Sequence, residues 1–274
     1  MGHLNQRGWI NVATLVVYVP LLAGTLATLF RQRFRMKSFY YLLVFILVKF
    51  VGAAMTIDVQ LKDNASLYTP AAILSTIVLT PLVMTVAGII NLQSASSPHF
   101  TPPQQAYALL PRSAAAAAPT EKRTFSSRSS RLTRLAHLLI LASLALGIVG
   151  GLDVFSTAPD PDTPGKTYMR AAAGLAAGAL LLIAAVVATN WGDARAFAGW
   201  SASLYVAVAV AVLPLLAARV AYTVGVAATV LTTRTQVFNP LTGSWVLYLC
   251  LAWLPEVLIG YVIVIMGLVK PRVR

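Results

Sequence analysis

The chain is made of long apolar blocks separated by short polar connections. Seven blocks stand out, at 9–30, 38–60, 70–92, 135–154, 168–189, 197–222 and 244–268. Within them apolar residues run nearly without interruption, so no face is left polar for water. A helix crossing a hydrocarbon core about 30 Å thick needs about 18 or more such residues. Backbone polar groups in that core must be satisfied within their own segment, which leaves helices as the reading. The pattern therefore predicts an all-α polytopic bundle, one seven-helix domain over 1–274. The first block, Trp9 to Phe30, is too long for the apolar region of a cleaved signal and is followed by arginines, so it reads as a retained helix.

One connection is different. Residues 93–134 are rich in Ser, Pro, Arg and Ala, with an alanine run from Ala114 to Ala118. They show no apolar periodicity and are expected to form a disordered basic loop within the domain.

Composition supports the membrane reading. The chain is 58% hydrophobic and 11% charged, too little charge to cover a soluble domain of this size. A net charge of +13 would indicate nucleic acid in a soluble protein. Here the cations belong to loops, and no nucleic-acid partner is expected. Arg31, Arg33, Arg35 and Lys37 follow span one; Arg112, Lys122, Arg123, Arg128, Arg131 and Arg134 follow span three; Arg195 follows span five; Lys270, Arg272 and Arg274 follow span seven. The opposite side holds Arg7, Lys62, Lys166, Arg170 and Arg234, so the division is fourteen against five. Positive residues mark the cytoplasmic side. The expected topology thus has the N-terminus out and the C-terminus in the cytoplasm, at the plasma membrane or an endomembrane.

The single cysteine, Cys250, lies in an apolar block, which excludes a disulfide framework within the chain. His3, His99 and His137 are scattered, and neither a metal site nor a cofactor is expected. Asn64-Ala65-Ser66 is a glycosylation sequon in the first outer loop, against the alternative of a chance tripeptide. Gly147-xxx-Gly151 and Gly174-xxx-Gly178 are small-residue ridges that let helices approach closely. They are read as packing within the bundle; the oligomeric state stays open. Pro20, Pro81, Pro214 and Pro255 fall inside spans, where kinks are expected. Trp191, Trp200 and Trp245 sit near span ends, as an interfacial belt does. Ser126 lies among the basic residues of the long loop, where phosphorylation would locally reverse the attraction of those cations for anionic lipid.

The candidate chemistry lies in three ionisable residues inside apolar blocks: Lys49, Arg219 and Glu256. A basic residue at a helix centre costs about 2.5–3.5 kcal/mol on insertion scales, so such residues face inward and pair. Lys49 and Glu256 fall midway along spans two and seven, and Arg219 toward the outer end of span six. They are expected to cluster around Glu256, with the hydroxyls of Tyr222 and Tyr261 completing the network; the alternative for Lys49 is to snorkel. Three roles stay open for the cluster: an ion pair fixing helix register, a polar pocket for a small molecule or lipid headgroup, and catalysis or proton relay. No nucleophile, phosphate-loop or metalloenzyme motif is present, and Asp160-Pro161-Asp162 reads as a solvated turn.

Several segments carry a resemblance. They are Tyr18-Val-Pro20-Leu-Leu, Lys49-Phe-Val-Gly52-Ala-Ala, Leu213-Pro214-Leu-Leu-Ala-Ala-Arg219-Val-Ala-Tyr222, Phe238-Asn239-Pro240-Leu241-Thr242-Gly243, and Glu256 with the run to Gly267. Together they resemble a fungal family of seven-helix membrane proteins of unknown function, over nearly the full chain except 93–134. That family favours Arg where this chain has Lys49. A weaker similarity is to the fungal lipid-translocating exporters, also seven-helix proteins. The resemblance implies a fold and no activity. The leading reading is a non-enzymatic membrane protein that binds a small or lipidic ligand, as a sensor or transporter. The alternatives are an intramembrane enzyme of secondary metabolism, like the seven-helix fungal terpene cyclases, and a structural protein with no ligand.

Overall fold

A computed structural model describes residues 4–31, 37–62, 65–96, 121–155, 164–189, 191, 208–229, 236–239 and 243–269. Every regular element among them is helical, and seven helices are long and apolar enough to cross a membrane. Span one is Gln6–Arg31 and span two Lys37–Lys62. Span three is Tyr68–Ile77 followed by Leu79–Ser96. Span four is the membrane part of Glu121–Val154, and span five is Gly165–Thr189. The described part of span six is a π-type turn, Val208–Val212, leading into Leu213–Thr229. Span seven is Trp245–Tyr248, a π-type turn at Leu249–Trp253, then Leu254–Val269.

Two boundaries differ from the sequence reading. The helix of span four starts at Glu121 and so takes in part of the stretch assigned to the loop 93–134, while 97–120 lies outside the described residues. A helix already nucleated in the bilayer extends at little cost per residue, with no apolar periodicity needed. Span six continues to Thr229, where an end at 222 was expected. The apolar run simply continues past Tyr222, and a uniformly apolar run carries no register of its own. Residues 197–207 lie outside the described residues.

The spans pack as a ring in chain order: each touches its successor, and span seven returns to span one. Span three also touches spans five and six. It is the most enclosed: 67% of its most apolar window is buried, against 22–44% for the other six. The ring's outer surface is apolar, with Trp9, Val16, Phe30, Leu138, Leu181 and Ile265 each more than half exposed. A face this apolar requires lipid.

Five buried threonine hydroxyls are satisfied at home. Thr14, Thr25, Thr28, Thr56 and Thr85 each donate to the carbonyl four residues earlier at 2.8 Å, the arrangement a water-free interior requires. Two arginines of span one tie down span seven. Arg31 donates to the carbonyl of Leu268, an unsatisfied acceptor of the last helical turn. Arg7, at the opposite end, donates to the carbonyls of Asn239 (2.7 Å) and Ser244 (3.1 Å), just before span seven begins.

The small-residue ridges behave unequally. The closest approach in the hairpin of spans four and five is at Gly150, where a Cβ would lie 2.9 Å from the Gly165 carbonyl oxygen and from the Met169 nitrogen. Gly174 was expected to be a contact point, but a Cβ there would meet nothing within 4 Å, and the residue is exposed. The ridge spacing identifies a helix face without saying whether that face meets a helix or lipid.

Candidate functional site

Prolines shape the three helices that converge on the site. A proline cannot donate to the carbonyl four residues earlier, and its ring crowds that carbonyl. For Pro81 the carbonyl belongs to Ile77, and span three breaks at Val78. For Pro214 and Pro255 the carbonyls belong to Val210 and Leu251, inside the two π-type turns. Such turns absorb the ring without ending the helix, and they recur at functional sites. Pro20 is the exception: span one is unbroken there.

The structure brings Lys49, Arg219 and Glu256 together. Arg219 Nε donates to Glu256 Oε1 at 2.5 Å. Lys49 Nζ forms an ion pair with the other carboxylate oxygen, Oε2. The side chains are 8% (Lys49), 4% (Arg219) and 0% (Glu256) exposed, so Lys49 does not snorkel. The longer course of span six moves Arg219 from the expected helix end to the level of Glu256. Each nitrogen of Arg219 has a partner, because Nη1 donates to Thr223 Oγ1 (2.9 Å) and Nη2 to the Ser75 carbonyl of span three (3.1 Å). Two cations share one carboxylate, so the triad carries a net positive charge away from water.

The expected tyrosine hydroxyls go elsewhere. Tyr261 donates to the Val17 carbonyl at 3.0 Å and Tyr222 to the Phe238 carbonyl at 3.4 Å. Tyr222 meets the triad through its ring: the Arg219 guanidinium lies 5.6 Å from its centroid. Tyr222 is 6.0 Å from Tyr248, edge to face, and the Arg7 guanidinium lies 5.2 Å from the Tyr248 ring. Two cations thus flank a pair of aromatic rings, and the rings' negative faces stabilise both.

Arg7 is the residue the sequence reading missed as part of the site. It was counted with the outer-loop cations, yet it is 5% exposed and held inside the bundle. The available signal was helical spacing: Arg7, Asn11, Thr14, Tyr18, Thr25 and Thr28 form a polar stripe on one face of span one, and all are buried.

Two recesses flank the triad. One lies among spans one, two, three and seven; Arg7, Asn11, Lys49 and Gly52 line it, around a cavity of about 30 Å³. The other lies among spans three to six; Arg219, Tyr222, Thr223 and Ser143 line it, around a cavity of about 50 Å³. Ser75, just before the break in span three, borders both. Asn64 lies outside the described residues, as does the side chain of Ser126, whose backbone is in the extension of span four. No cluster of three metal-ligating side chains occurs among the described residues.

Residues 4–110 and 105–273 match the domain of unknown function DUF7702, so the chain belongs to that family. The two stretches overlap at 105–110, within the connection between spans three and four. No curated protein and no solved structure matches the chain.

Proposed function

We propose that this DUF7702 protein is a non-enzymatic membrane protein that binds a small or lipidic ligand beside its buried charges. One observation carries the reading: Lys49 and Arg219, although buried, each line a recess beside the triad. An ion pair that only fixed helix register would need no adjoining space. Interrupted helices support it further, since proline-broken spans are where membrane proteins place polar sites. An enzyme initiating chemistry with a carboxyl group has less support. Both oxygens of Glu256 face cations of the bundle itself, so the carboxylate is engaged within the protein. The exposed Arg131 and Arg134, where span four extends beyond the apolar block, support a separate contact with anionic lipid.

The test is native mass spectrometry of the full chain, extracted gently from its own membranes. A bound molecule of defined mass at near one-to-one stoichiometry, lost on denaturation, is the expected result. A chain that is always free of adducts, with thermal stability unchanged across a broad panel of amphiphiles, overturns the reading.

A further inference from the structure

We infer that the recess among spans one, two, three and seven is an oxyanion site, built for a carboxylate or phosphate group on a small amphiphile and anchored by Arg7 and Lys49. The inference rests on the proposed ligand-binding function and specifies the chemistry of the ligand.

The first ground is charge. Arg7, Lys49 and Arg219 bring three buried cations to the site, and Glu256 is the one carboxylate paired with any of them among the described residues. The partners of Arg7 are all neutral: two carbonyls, an aromatic face and the side chain of Tyr222. A buried cation without a counter-ion is costly, and an anionic guest would remove that cost. The second ground is an unused donor: Arg7 Nε is buried and has no hydrogen-bond partner among the described residues. Buried donors of this kind are rare and call for an explanation. The third ground is the state of the neutral polar groups. Thr14, Thr56 and Ser75 line the recess, but their protons are committed to carbonyls of their own helices. What remains to meet a ligand is the positive charge of Arg7 and Lys49, with the Asn11 amide and the Tyr248 hydroxyl beside it. The surrounding walls include Val48, Leu74 and Val78, which suit a short hydrocarbon portion. The second recess lacks this character, because all three nitrogens of Arg219 already have partners.

The test uses the purified full chain in a neutral maltoside detergent. Laurate, dodecanol and inorganic phosphate are the probes, and thermal unfolding is the readout. Laurate and dodecanol share a chain and differ in head charge, so this comparison needs no variant. Laurate should raise the Tm by several degrees through linkage, and dodecanol should act at least tenfold more weakly. Protection by phosphate as well would assign the site to a free anion; protection by laurate alone would assign it to an amphiphile. Gly52→Ala fills the recess and keeps every charge. Its Cβ would meet nothing nearer than Leu74 Cβ at 3.7 Å, so the variant should fold and bind laurate several-fold more weakly. Arg7→Gln should abolish the preference for laurate, and Arg7→Lys should retain part of it. Equal effects of laurate and dodecanol, both weakened by Gly52→Ala, would leave a ligand site standing and overturn the oxyanion inference. Laurate protection indifferent to Gly52→Ala and Arg7→Gln would place binding elsewhere and also overturn it. No response to any probe, with no adduct in native mass spectrometry, would remove both readings.

Discussion

At the residue scale, the triad's stoichiometry makes the three substitutions unequal. Removing either cation leaves one balanced pair, whereas removing the carboxylate leaves two cations facing each other without water. Breaking a buried pair typically costs about 3–5 kcal/mol, and Glu256→Gln should reach the top of that range or exceed it. Arg219→Gln should cost less, although it also loses the contacts to Thr223 and Ser75. Lys49→Met should cost least. The double variant Glu256→Gln with Arg219→Gln should recover part of the loss of Glu256→Gln, because the pair is coupled. Thermal unfolding in detergent ranks all four, and a Glu256→Gln protein as stable as Lys49→Met would refute the shared-carboxylate geometry. The triad was legible in the sequence because a full charge inside an apolar block is a loud signal. Arg7 was not, because it sits at the margin of its block, where a cation is ordinary. Its neighbours Asn11 and Thr14 mark it only once the polar positions of span one are laid on a helix.

At the element scale, length and apolarity fixed how many helices there are but left some of their positions open. Spans one, two, five and seven lie within a few residues of the sequence reading because charged or polar residues bound them at both ends. Span six does not, since its apolar run is longer than a membrane requires and its depth is set by packing and by the pairing of Arg219 with Glu256. Small residues leave a similar ambiguity, and two substitutions separate the cases. Gly150→Ala forces a Cβ against the backbone of Gly165 and Met169 at 2.9 Å; backbone cannot swing aside, and such overpacking costs about 1–3 kcal/mol. Gly174→Ala meets nothing within 4 Å and removes a helix penalty of about 1 kcal/mol. The Tm should fall for the first and hold or rise for the second. A reversed order would mean that span five presents its other face to span four.

At the scale of the whole molecule, the ring gives the site a sidedness that can be tested. Span one begins where span two ends: a Cβ on Gly8 would lie 2.3 Å from the Gln60 side chain. Arg7, Gln60 and Lys62 therefore share one end of the bundle, and the recess anchored by Arg7 lies toward it. Arg131 lies at the opposite end, where span four enters the apolar region. The fourteen-to-five distribution of basic residues predicts that the Arg7 end faces outward, so the oxyanion recess would take its ligand from the outer side. Single cysteines can decide this in a Cys250→Ser background, since Cys250 is the chain's one cysteine. Lys62 has a side chain 71% exposed in a surface pair with Asp58, worth about 0–1 kcal/mol, so Lys62→Cys should leave the fold intact; Arg131 is exposed as well. In sealed vesicles of known sidedness, a membrane-impermeant maleimide should label Lys62→Cys from the outer face. Arg131→Cys should react only after permeabilisation. The opposite pattern would invert the topology and turn the recess toward the cytoplasm, leaving the triad, the ring and the oxyanion chemistry as they are.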